Sequence, residues 1–157
     1  MITFLTHPVV LLTLGGALGT NARYWLGRYI ASHVAAQEWH LANFPLATFV
    51  INVTGSLLLG LFVIPFRDRL PHWYILLGVG FCGGYTTFSA FALETVELVR
   101  RHHQPGMAIV YAIASVLVGC IVTWFAVAGM EQVYPRPHVE TKNLPLQDAE
   151  KAEFLDK

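Results

Sequence analysis

Charge is scarce in this chain. Of its 157 residues only 13% are charged, about half the share of a soluble domain, where roughly a quarter of positions are charged. Too few polar side chains remain to coat a water-facing surface. Neither sign is in excess: ten basic residues meet ten acidic ones for a formal net charge of zero. That balance removes the electrostatic case for a nucleic-acid partner. Cysteine is limited to Cys82 and Cys120, far apart in apolar runs and without CxxC or zinc-ligand spacing, which excludes a structural zinc or a dithiol pair. Both read as small buried residues. The period-two alternation of a half-buried strand is missing as well, and no stretch reads as a soluble domain.

What is present is apolar. Hydrophobic residues make up 55% of the sequence and the mean hydropathy is +0.52. A spanning helix needs about 20 mostly apolar residues, and four stretches qualify, at about 9–30, 44–65, 73–99 and 106–130. The first lacks a basic n-region and an A-x-A cleavage site, so it reads as a retained helix. Residues 1–133 form a four-helix transmembrane unit on this reading. From Tyr134 onward Pro135, Pro137 and Pro145 mix with Glu, Lys, Asp and Gln, the composition of a disordered polar tail, 134–157, outside the membrane.

The basic residues near helix ends set orientation, and here they divide about evenly. Arg67, Arg69 and Arg136 fall on one side; Arg28, Arg100 and Arg101 fall on the other. The near-level count fits either the noise of a small sample or a chain that inserts both ways and pairs antiparallel.

Polar groups at membrane depth must be satisfied or must line something wet. The first helix carries Asn21 and Arg23 in "GGALGTNARY", where Gly15 and Gly19 form a small-xxx-small pair suited to close backbone approach. Arg23 either snorkels to the interface or faces inward. The second helix reads "FPLATFVINVTGSLLLG", and Thr48, Asn52 and Ser56 recur every four residues along one face. A Ser or Thr can bond its own helix backbone. Asn carries two donors and an acceptor, so Asn52 is either a helix-packing contact or a ligand contact. In the fourth helix Tyr111, Ser115 and Thr123 share an i+4 row in which Gly119 takes the missing step. Such a row suits a hydrated path or hydrogen-bonded helix packing.

The third helix contains "GGYTTFSAF". The pair Gly83-Gly84 predicts a break there. A break at membrane depth is tolerated where it is buried in protein or faces a water-filled cavity. It frees carbonyls that can hold a cation and N–H groups that favour an anion. Phe88 and Phe91 lie on one face; they either pack as plain apolar surface or turn their partially positive ring edges to an anion. Glu94 and Glu97 fall towards the end of this helix, with Glu94 a helix-packing or Arg-pairing residue.

"GGALGTNARY", "FVINVTGSLLLG" and "GGYTTFSAFALE" resemble the signatures of the Fluc (CrcB) family of fluoride channels, over roughly residues 9–130. The resemblance implies an all-α membrane protein with four transmembrane helices, a break in the third, and a dual-topology antiparallel homodimer enclosing two fluoride pores. It implies a structural sodium ion at the dimer centre, held by the backbone carbonyls of Gly83 and Thr86. Phe88 and Phe91 would line the pore, Asn52 would donate its amide to fluoride, and Tyr111, Ser115 and Thr123 would form a polar track. Thr48 and Thr87 would sit near the path, with Arg23 and Glu94 in vestibule or structural roles. Gly119 departs from the family, which tends to have a hydroxyl there; a water could stand in. The implied activity is passive export of fluoride through a multi-pass protein of the bacterial inner membrane, with lipid, fluoride and a second copy as partners.

Other classes fit less well. A small multidrug-resistance-type proton-coupled exporter needs a titratable acid at depth, and the first helix has no Asp or Glu. A membrane protease needs a base beside a mid-membrane hydroxyl. All seven histidines, His7, His33, His40, His72, His102, His103 and His138, fall at helix edges, in connections or in the tail. A plain scaffold protein would make the polar stripes wasteful, although they do not exclude it.

Overall fold

The structure, a computed structural model, describes residues 6–33 and 43–135. The tail from 136 onward, Arg136 included, and residues 34–42 lie outside the described residues. Helix α1 spans Pro8–His33, α2 Leu46–Phe66 and α3 Pro71–Trp73. A π-helical stretch, Tyr74–Phe81, runs into α4, Cys82–Tyr85; α5 is Phe88–Arg100 and α6 Pro105–Val133. Among the described residues every element is helical, and the protein is an all-α membrane protein.

Three segments are long and apolar enough to cross a membrane: Leu46–Phe66, Pro71–Arg100 and Pro105–Val133. Their faces are largely apolar and exposed, because lipid rather than water is their solvent. Helix α1 has 26 residues, about 39 Å at 1.5 Å per residue, but its second half carries Asn21, Arg23 and Arg28.

Glycines decide how the segments approach. Gly15 and Gly19 of α1 are buried against backbone of the π-helical stretch. A Cβ on Gly15 would collide with Leu76 O, and one on Gly19 with Phe81 O. The small-xxx-small pair therefore brings two backbones together. Gly84 continues this seam, since a Cβ there would lie 2.5 Å from Gly16 O. On the other side α2 packs along α6; a Cβ on Gly60 would lie 2.8 Å from the Ala126 Cβ.

The glycine pair does not break the third segment. Gly83 and Gly84 are both helical, within α4. The chain opens two residues later, where Thr86 (φ −81°, ψ 161°) and Thr87 (φ −150°, ψ 116°) are extended. Gly84 is small because of its close neighbour, whereas the opening is stabilised by threonine. Thr86 turns its hydroxyl back to Cys82 O at 2.9 Å, and Thr87 Oγ1 accepts from Ala90 N at 3.2 Å. Thr87 is thus the N-cap of α5.

A small core lies where α5 meets α6. Leu98, Ala108 and Tyr111 are buried there, packed by Phe44, Phe49, Phe91 and Met107. Cys82 is buried but Cys120 is exposed, against the expectation that both are covered.

Candidate functional site

The extended residues Thr86 and Thr87 interrupt the helical ladder, so their backbone groups need other partners. Asn52 of α2 supplies them. Its Nδ2 donates to Thr87 O at 3.1 Å, and its Oδ1 accepts from Thr87 N at 2.8 Å. The side-chain amide stands in for a backbone strand partner. Thr87 N–H would otherwise close a helical turn onto Gly83 O, so the bond to Asn52 releases the Gly83 carbonyl from the ladder. In the same way Ala90 N–H goes to Thr87 Oγ1, and Thr86 O is left to accept from Arg23 Nη1 at 3.2 Å. Thr20 Oγ1 lies 3.4 Å from Gly84 O, and Tyr85 OH is held 2.9 Å from Thr54 Oγ1. Arg23 therefore reaches inward to the break instead of snorkelling away.

A second polar cluster lies one turn further along α5. Glu94 Oε1 accepts from Thr48 Oγ1 at 2.7 Å, and Oε2 accepts from Tyr111 OH at 2.8 Å. Thr48 is 7% exposed and Tyr111 fully buried. Glu94 lies towards the end of the third membrane segment, Pro71–Arg100, as its sequence position implied, and two hydroxyls hold it. Arg101 pairs with Glu97 at 2.9 Å, whereas the partners of Glu94 are the hydroxyls of Thr48 and Tyr111. Tyr111 points to this carboxyl group and stands apart from Ser115 and Thr123.

The cavity beside the break has a volume of about 360 Å³ and is lined by residues from α2, α4, α5 and α6, among them Asn52, Ser56, Thr86, Thr87, Phe88 and Ser115. Gly83 and Phe91 also line it. Phe88 and Phe91 have ring centroids 5.6 Å apart, tilted by 42°. Phe91 also contacts the Tyr111 ring at 5.2 Å, while Phe88 is 79% exposed. Gly83 is exposed too, with nothing within 4 Å of the position a Cβ would take. The cavity is thus walled on one side only. A second cavity continues along α2 and α6 past Ser56, Ser115, Gly119, Cys120 and Thr123. Thr123 Oγ1 donates to Gly119 O at 2.9 Å and lies 3.2 Å from Ser56 O.

Of the residues singled out in the sequence, the structure brings Asn52, Thr86, Thr87, Phe88, Phe91, Gly83 and Ser115 around one cavity, and Thr123 onto the next. Thr48, Glu94 and Tyr111 form the second cluster, and Thr48 also lines a further cavity with Arg23 and Thr87. Three features escaped the sequence reading: the Thr87 cap, the reciprocal Asn52–Thr87 pair and Ser56 in the cavity wall. A threonine directly before an apolar helical run was a legible cap signal. The other two join residues distant in sequence.

The carbonyls of Gly83 and Thr86 suit a hard cation in type, since both are oxygens detached from the helical ladder by the bonds described above. One chain brings only these two, and Thr86 O is shared with the Arg23 guanidinium.

A family profile described as "CrcB-like protein, Camphor Resistance (CrcB)" matches residues 10–128. The chain is 44% identical over 117 residues to the "Fluoride-specific ion channel FluC 2" of Rhodococcus jostii (strain RHA1), covering 74% of this chain and 92% of that one. It is 41% identical over 114 residues to the "Fluoride-specific ion channel FluC" of Caulobacter sp. (strain K31), covering 70% and 84%. To the protein of that same description in Solibacter usitatus (strain Ellin6076) it is 42% identical over 120 residues, covering 74% and 92%.

Proposed function

The chain belongs to the CrcB-like family, and from that premise we propose that it is a fluoride-selective channel through which fluoride leaves the cell passively. It is a multi-pass protein of the bacterial membrane and not an enzyme. The observation that carries the reading is the cavity in which an amide, several hydroxyls and two phenylalanine rings converge beside an interrupted helix.

Fluoride is small and holds its water tightly, so a conducting path has to replace that water with donors. Asn52 Nδ2 has two hydrogens; one is engaged by Thr87 O, and the other is left for an ion. Ser115 Oγ is buried without a partner among the described residues. Ring edges of Phe88 and Phe91 add partial positive charge. Low-dielectric surroundings strengthen each of these contacts relative to water. Four membrane-crossing helices, with α1 as the first and the opening at Thr86–Thr87 dividing the third, complete this reading.

Two copies in antiparallel orientation make up the channel. The exposed Phe88 and Gly83 support this, since one chain leaves its cavity open on that side, and the evenly divided arginines support insertion both ways. A sodium ion at the centre, held by Gly83 and Thr86 carbonyls of both copies, would supply fixed positive charge that offsets part of the cost of an anion at membrane depth. An accessibility tag at the C-terminus should then be labelled from both faces of the membrane in one population. Labelling from one face only would rule out dual insertion.

The function is tested by efflux. Liposomes containing the purified protein, with the membrane potential shunted, should release fluoride and retain chloride. Exchanging sodium for a large organic cation on both sides should stop the release. Equal release of both halides would defeat selectivity, and full fluoride release in sodium-free buffer would remove the sodium.

A further inference from the structure

The hydroxyl row of α6 is incomplete. Tyr111, Ser115 and Thr123 recur at i+4, and Gly119 occupies the step between the last two. Tyr111 is committed to Glu94, and the Thr123 hydroxyl is committed to backbone carbonyls. An ion moving from the first cavity to the second would meet Ser115 and then, on α6, no side chain at all. The gap is faced by α2. A Cβ built on Gly119 would lie 3.6 Å from Ser56 Oγ, so the Ser56 hydroxyl stands opposite the missing one.

Two further observations bear on Ser56. It lines both cavities, as does Ser115, and these two supply the hydroxyls common to them. Serine and threonine in apolar helices commonly bond their own backbone four residues back. Thr54, Thr86, Thr95 and Thr123 do so here. Ser56 Oγ makes no such bond among the described residues, and Ser115 Oγ is buried without a partner. Their hydrogens remain available where the two cavities meet.

We propose that Ser56 is a fluoride-contacting residue that replaces the absent α6 hydroxyl at 119, so that the donor line crosses from Ser115 to α2 before continuing past Thr123. Gly119 is then the partner of Ser56: its lack of a side chain leaves room for an ion beside the α2 hydroxyl. This rests on the fluoride-channel reading above.

The test is a complementation cycle on the full-length protein in liposomes. Ser56→Ala should slow fluoride efflux about tenfold, the effect of one hydrogen bond to an ion acting on the barrier. Gly119→Ser in that background should bring efflux back to near the wild-type rate, because it restores a hydroxyl to the same space from the opposite helix. The 3.6 Å clearance accommodates it. Ser56→Cys, similar in size but a weak donor, should be slow like the alanine variant and serves if the latter does not fold. Wild-type efflux from Ser56→Ala, or a slow Ser56→Ala that Gly119→Ser does not restore, would overturn the proposal. Absence of fluoride efflux from the unmodified protein would instead overturn the channel reading on which it rests.

Discussion

Phe88→Ile and Phe91→Ile each lower fluoride efflux from liposomes by about tenfold or more, the consequence of ~1.4 kcal/mol added to the barrier, while the protein stays folded. Isoleucine keeps the apolar character of phenylalanine and much of its bulk, but lacks the ring edge that can face an anion. If the rings only fill space, such swaps commonly cost less than about 1.5 kcal/mol of stability and leave transport intact. The two positions differ in a way that sharpens the experiment. Phe88 is 79% exposed in the single chain, so its replacement should barely move the unfolding temperature of the chain itself. Phe91 packs on the Tyr111 ring at 5.2 Å and against the small core. Its replacement should lower stability as well, by about 0.5–1.5 kcal/mol for the lost aromatic pair. Efflux near wild type in both folded variants would leave packing as their only role.

Asn52→Ala has a different signature: it abolishes fluoride efflux and also destabilises the chain. The reason is the reciprocal pair with Thr87. Removing the amide leaves Thr87 N–H and Thr87 O without the partners they have at 2.8 and 3.1 Å. Each unsatisfied buried group costs about 1–3 kcal/mol, and the cost rises where no water can substitute. Asn52→Asp retains an acceptor for Thr87 N–H but sets a carboxylate oxygen, which cannot donate, against Thr87 O. It also brings negative charge into a path meant for an anion. Efflux should therefore fall for both variants, and melting in detergent should shift downward for both. An Asn52→Ala protein with unchanged melting would show that the pair does not hold the extended segment; one with unchanged efflux would remove Asn52 from the path. The phenylalanine variants lose transport with little loss of fold, and the asparagine variants lose both.

Much of the architecture follows from local sequence. A spanning helix declares itself by length and apolarity alone, so Leu46–Phe66 and Pro105–Val133 coincide closely with their apolar runs. Close-approach glycines are equally legible, because small-xxx-small spacing has one geometric meaning, and Gly15 and Gly19 do meet another backbone. The polar stripe of Thr48, Asn52 and Ser56 was also visible as one face of a helix.

What that face does was decided only by tertiary contacts. Thr48 bonds Glu94, Asn52 bonds Thr87, and Ser56 faces Gly119, three partners on two other segments that helical periodicity cannot identify. The position of the opening in the third segment was decided in the same way. Glycine lowers the cost of leaving a helix, so sequence pointed to Gly83-Gly84. The helix instead stays intact there and opens at Thr86 and Thr87, where Asn52 and the Thr87 cap satisfy the released backbone groups. At membrane depth a helix opens where distant residues can bond its backbone, and those partners become neighbours only when the chain has folded.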